Sequence, residues 1–148
     1  MHNNMKKFFF LIIVLILSFT GLYYWFKPLK PTVLINGTKF TVELAITQSE
    51  ITQGLSGRES LATHSGMIFL MNHKEQYSFW MKDMRFPLDF VWIDGNRIVD
   101  ITTHVPTKVD STVPVIQPRV AADKILELNA GEVDKAGIKI GDTVLFNK

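Results

Sequence analysis

Four charged residues crowd one short stretch of this chain: Lys82, Asp83, Arg85 and Asp89 lie within eight residues, around Pro87 and between two apolar runs. In an extended strand, alternate side chains share a face, so Asp89 falls on the face of Val91 and Ile93, and Trp80 on that of Lys82. A carboxylate among Val and Ile demands a partner, because an unpaired buried charge is costly. Arg58, which follows a Gly-rich turn, and Lys82 are the expected partners of Asp89. Two readings follow for Arg58, Lys82, Asp83 and Asp89. They form either a structural ion-pair network or a polar pocket for a small anionic or hydroxylated ligand. A third use, with Asp83 or Asp89 as acid/base beside Lys82, requires a carboxyl with a raised pKa in a cleft.

Phe79, Trp80, Phe86, Phe90 and Trp92 surround the same charges. They could line a sugar-stacking groove, although filling a core is the commoner use of such residues. Met67, Met71, Met81 and Met84 read as flexible core filler. The histidines His2, His64, His73 and His104 are not spaced as metal ligands, and Asp83, Asp89 and Asp94 do not follow an EF-hand rhythm. Gly54-Leu55-Ser56-Gly57-Arg58 is not a nucleophile elbow, since Arg58 stands where the second glycine is required. Nucleotide-binding glycine motifs are absent, so the sequence calls for no cofactor. Cysteine is absent too, which removes disulfides, thiolate metal sites, a cysteine nucleophile and a lipidated cysteine.

The elements that must hold these residues can be read along the 148-residue chain. Residues 8–26, FFFLIIVLILSFTGLYYWF, carry no charge. As a helix they would span roughly 28 Å, close to the hydrocarbon thickness of a bilayer. Lys6 and Lys7 precede the run, Lys27 and Lys30 follow it, and Tyr23, Tyr24 and Trp25 stand at its end as an aromatic belt would. No A-x-A-like cleavage site follows it, which favours an uncleaved anchor over a signal peptide. Phe8, Leu11, Ile16, Tyr23 and Trp25 are thus expected to contact membrane lipid. The expected organisation is a cytoplasmic tail at 1–7, a transmembrane anchor at 8–26, a Pro-stiffened linker at 27–31 and a domain at 32–148. The short amino-terminal tail favours a single-pass protein in the cytoplasmic membrane with its carboxy-terminal domain outside.

Charge divides at the same boundary. The whole chain has a formal charge of +2, but residues 1–30 hold four lysines and no acid, leaving the remainder at −2. Nucleic-acid binding needs clustered Lys and Arg to replace phosphate counterions, and the domain has no such cluster. Its apolar fraction, about 42%, is ordinary for one soluble core.

Within the domain, Asn36-Gly37 between Thr32–Ile35 and Thr38–Leu44 predicts a type I′ hairpin. Thr47-Gln48-Ser49-Glu50 fits a capping box, opening a short helix to about Leu55. Strands are expected at 66–71, 78–82, 88–94, 97–103, 124–128 and 143–146. The second of these hairpins turns at Asp94-Gly95, and 105–118 reads as an extended loop. One helical turn at 131–136 ends on Gly137. The fold class is α+β and mainly β: a small barrel-like domain with two short helices, preceded by one transmembrane helix.

Five blocks of the domain resemble the DUF192 (UPF0127) family. They are Gln53-Gly54-Leu55-Ser56-Gly57-Arg58-Glu59-Ser60-Leu61; Gly66-Met67-Ile68-Phe69; the run from Phe79-Trp80-Met81-Lys82-Asp83 through Pro87-Leu88-Asp89 to Asp94; Ile125-Leu126-Glu127-Leu128-Asn129-Ala130-Gly131; and Gly137-Ile138-Lys139-Ile140-Gly141-Asp142. Asp83 departs from the family's usual Asn, and Ser56-Gly57 from its usual residues. The resemblance implies a compact β-barrel-like fold and, in many relatives, an amino-terminal export or anchor segment. The family is uncharacterised, so the resemblance implies no activity. The expected role therefore rests on the residues: an extracytoplasmic binding or accessory module without catalysis, with a small polar ligand or another envelope protein as partner and no nucleic acid. The alternative is an envelope-associated hydrolase or transferase with an Asp acid/base.

Overall fold

The structure is a computed structural model that describes residues 7, 9, 11–18 and 29–147. Residues 11–18 are helical and exposed. Phe8, Tyr23 and Trp25 of the expected anchor lie outside the described residues, while Leu11 and Ile16 lie in this helical segment. Among the described residues, no helix is long and apolar enough to cross a membrane.

The domain runs β1 (Thr32–Ile35), β2 (Thr38–Ala45), α1 (Gln48–Gln53), β3 (Ser65–Glu75), β4 (Phe79–Trp80), β5 (Leu88–Asp94), β6 (Arg97–Val105), β7 (Val115–Ile116), β8 (Ala122–Asn129), α2 (Glu132–Lys135) and β9 (Leu145–Asn147). Its class is α+β and mainly β, as expected. Seven strands form one sheet in the order β6-β5-β8-β3-β2-β1-β9, and β4 pairs with β7 in a separate ribbon. Among the described residues, only β2 and β3 pair in parallel, so their connection must cross over; α1 and the loop after it make that crossing.

Local sequence explains the boundaries. Asn36 and Gly37 take φ angles of 49° and 78°, the left-handed pair that a type I′ turn needs between β1 and β2. The Thr47 hydroxyl accepts from the Glu50 amide, and the Glu50 carboxylate accepts from the Thr47 amide, completing the capping box. The strand expected at 78–82 shortens to the two residues of β4, because Asp83 adopts a left-handed φ of 57° and turns the chain. The loop expected at 105–118 contains β7, which gives β4 its partner through Phe79↔Ile116 and Trp80↔Val115.

The sheet curls until its ends meet. Ile98 of β6 exchanges backbone hydrogen bonds with Gly141 (2.8 Å) and Asp142 (3.0 Å), and Arg97 bridges Thr143 just before β9. Val33, Ile35, Phe40, Ile68, Val91, Ile93, Leu126 and Leu128 fill the concave side. The alternate residues of the same strands, among them Met67, Phe69, Phe90, Trp92 and Ile125, face outward. They are nonetheless buried, because α1, the loops after it and the β4–β7 ribbon lie over that convex face. The molecule therefore has two apolar layers on opposite sides of one sheet, and any side chain at the centre of β8 is covered on whichever face it points to.

Candidate functional site

The convex layer is not fully packed. A cavity of about 330 Å³ lies between α1, β3 and the β4 segment, walled by Ile51, Phe69, Met71, Tyr77, Phe79 and Trp80. Its polar lining includes Gln48, Thr52, Gln53 and Ser78, and Glu127 is its one carboxyl among the described residues. Trp80 stands at the rim with 51% of its surface exposed. Phe79 packs edge-on against Phe69, with ring centroids 4.9 Å apart, and against Trp92 at 5.7 Å. Trp80 holds the Lys82 ammonium 5.7 Å from its ring centre.

Glu127 reaches this cavity from the middle of β8. Its cross-strand neighbours are Met67 on β3 and Phe90 on β5, both apolar. The residue is 5% exposed, and its Oε2 is buried with no hydrogen-bond partner. Burial pushes its carboxyl up to about 8, against a weaker opposing pull from the Arg58 guanidinium. Glu127 is therefore a carboxylic acid, not a carboxylate, over most of the physiological range.

Two glycines let the carboxyl sit there. Gly54 closes α1 at φ 48°, ψ −133°, a conformation other residues avoid; a Cβ on it would stand 3.3 Å from Phe69 Cζ and 4.0 Å from Glu127 Oε2. At Gly66, a Cβ would lie 2.6 Å from the backbone oxygen of Glu127, so a side chain would push β3 off β8.

Arg58 does not neutralise Glu127 directly. It forks onto Glu43 of β2, with Nη1 to Oε1 at 2.5 Å and Nη2 to Oε2 at 2.8 Å. Each partner lowers the energy of the other's charged form: the Arg58 hydrogen bonds hold the Glu43 carboxyl below its ordinary value, and Glu43 raises Arg58. The pair is partly exposed, 35% and 53% at the side chains, so it adds little stability by itself.

The four residues singled out from sequence are not brought to one place. Arg58 pairs with Glu43 rather than with Asp89. Lys82 and Asp83 are exposed and line a second, more open groove of about 840 Å³ together with Arg85 and Lys108. Arg85 pairs there with Glu59. Asp83 serves through its backbone, whose oxygen accepts from the Gly57 amide at 2.9 Å, while the Lys82 oxygen accepts from the Ser56 hydroxyl at 2.8 Å. Thr52, Gln53, Ser56, Trp80 and Met84 border both cavities, so the groove adjoins the Glu127 pocket.

Asp89 is fully buried, as its place beside Val91 and Ile93 predicts, but its partners are not cations. Oδ1 accepts from the His104 amide at 2.8 Å and Oδ2 from the Val133 amide at 3.0 Å. It ties β5 to the end of β6 and to the first turn of α2, and it lines neither cavity. Among the expected aromatics, Phe90 and Trp92 are core, stacked 6.0 Å apart, whereas Phe79 and Trp80 line the pocket. Asp100 makes a second buried anchor: Arg119 hydrogen bonds hold its carboxyl below the ordinary range and pin the chain ahead of β8. No group of three or more His, Asp or Glu side chains fit to hold a metal occurs among the described residues.

Sequence reasoning left Glu127 unmarked as a site residue. The signal was present in Lys124-Ile125-Leu126-Glu127-Leu128, where an acid interrupts an otherwise apolar central strand.

A protein of unknown function from Novosphingobium aromaticivorans DSM 12444 has a similar solved structure, with a TM-score of 0.69 and 32% identity over 77% of this chain and 83% of that one. A candidate transcription regulator from Sinorhizobium meliloti 1021 also matches with a TM-score of 0.69, at 30% identity over 78% of this chain and 91% of that one. The comparison with curated proteins gave no match. The family model of DUF192, described as an uncharacterized ACR, matches residues 32–146, and the chain belongs to that family.

Proposed function

We propose that this chain is a single-pass membrane protein whose domain binds a small organic ligand in the Glu127 pocket, on the outer side of the cytoplasmic membrane. One observation carries the binding reading: an aromatic-walled cavity with a buried carboxyl at its base whose Oε2 has no partner. Buried polar atoms are nearly always satisfied, and an exception marks a place where something else supplies the hydrogen bond. A cavity of roughly 150 Å³ already admits benzene, so about 330 Å³ accommodates a ring with substituents. Recognition is then an apolar body against Phe69, Phe79 and Trp80, fixed by one hydrogen bond to Glu127. Asp89 supports no acid/base role, since both its oxygens are engaged by backbone amides. The domain's net charge of −2 supports partners other than nucleic acid.

Methyl-labelled methionine reports on the pocket. On titration with benzyl alcohol, the Met71 and Met84 methyl resonances of the full chain are expected to shift saturably. Shifts that are absent or spread evenly over all methionines would count against the pocket. The anchor reading rests on the uncharged run at 8–26 and its flanking lysines. A carboxy-terminal alkaline phosphatase fusion is expected to be active and a cytoplasmic fluorescent reporter dark; the reverse pattern overturns the topology.

A further inference from the structure

Resting on that ligand-binding reading, we infer that the pocket selects amines: a primary ammonium group on an apolar, preferably aromatic, body, with the ammonium seated against Glu127 Oε2. The charge inventory points this way. Among the described residues, Glu127 is the only acid lining the cavity, and no Lys, Arg or His lines it. An anionic ligand would meet an acid and no base. Arg58, the cation whose charge acts on Glu127, is already forked onto Glu43 by two hydrogen bonds. Across the strands Glu127 faces Met67 and Phe90, Gly54 approaches it from the end of α1, and Phe69 of β3 lines the same cavity; none of them can donate to the carboxyl from its side chain. An ammonium supplies both what Oε2 lacks, a donor, and what an ionised Glu127 would lack, an unshared counter-charge.

The walls suit the same ligand. Aromatic faces attract cations, and Phe79 and Trp80 both present rings to the cavity. Trp80 already binds one ammonium, that of Lys82. Lys82 itself lines the neighbouring groove and not this pocket, so it does not compete for Glu127.

Proton accounting gives the test. Below about pH 8 the free pocket holds a protonated Glu127. Seating an ammonium there moves the carboxyl proton to solvent and leaves a carboxylate–ammonium pair. Binding therefore releases one proton per ligand, and affinity rises with pH up to about 8. A neutral alcohol leaves the proton in place and binds independently of pH over that interval.

Benzylamine and benzyl alcohol should be compared by isothermal titration calorimetry on the full chain, near pH 6.5, in buffers of different ionisation enthalpy. The expected result is release of close to one proton for benzylamine and none for benzyl alcohol. Glu127→Gln should weaken benzylamine by roughly tenfold or more, as loss of a charge-assisted bond predicts, and abolish its proton release. Equal or tighter binding of benzyl alcohol with no proton release by the amine overturns amine selection while leaving the pocket standing. Failure of both compounds to bind overturns amine selection and the pocket together. Because proton release is read on the unaltered chain, the outcome does not depend on how the variant folds.

Discussion

Glu127→Gln is expected to make the folded domain more stable, not less, and to flatten its dependence on pH. In the unfolded chain Glu127 ionises near its ordinary value of 4.5; in the fold, burial holds it protonated up to about 8. Between those values the native state binds a proton that the unfolded state has lost. Stability contributed by the neutral form is therefore complete below about pH 4.5 and declines as pH rises, until the carboxyl ionises in the fold near 8. At pH 7 the native state stands on the order of 3 kcal/mol below what a permanently neutral side chain would allow. Glutamine keeps the shape and abolishes the titration. Its melting temperature should exceed that of the unaltered chain at neutral pH and converge with it near pH 5. A variant no more stable than the unaltered chain at pH 7 would mean that Glu127 is solvated or paired.

A buried acid that costs the fold stability at neutral pH points to use, since a neutral isostere would stabilise the fold.

Asp89→Ala should have the opposite effect and a similar size, a loss of about 2–5 kcal/mol. Removing its carboxylate leaves the His104 and Val133 amides without acceptors in a buried setting, each at about 1–3 kcal/mol, and opens a void between β5 and α2. Chemical denaturation of the full chain measures this directly. A change below about 1 kcal/mol would indicate that water reaches both amides. The contrast between the two acids follows from geometry. Asp89 has two donors aimed at its oxygens, whereas Glu127 Oε2 has none.

These two residues also mark what the sequence made legible. Turn and cap chemistry is local, so Asn36-Gly37, the Thr47–Glu50 capping box and Leu88–Asp94 appear where their residues dictate. The burial of Asp89 was readable because it alternates with Val91 and Ile93. Its partners were not, since they are backbone amides left over where His104 takes a left-handed φ of 54° and where α2 begins. Glu127 was hidden for a related reason. Alternation places it on the face of Ile125, but only the parallel crossing through α1 and the pairing of β4 with β7 cover that face. Arg58 found Glu43 rather than Asp89 because the same crossing lays the loop after α1 beside β2, on the opposite side of the sheet from Asp89.

The pocket ends on a buried, neutral carboxyl whose Oε2 has no hydrogen-bond partner. The most direct measurement is the ¹³C chemical shift of the Glu127 side-chain carboxyl followed against pH in the full chain, with Glu127→Gln to assign the resonance. The expected result is a single transition with its midpoint near 8. A transition near the ordinary value of 4.5 would contradict it.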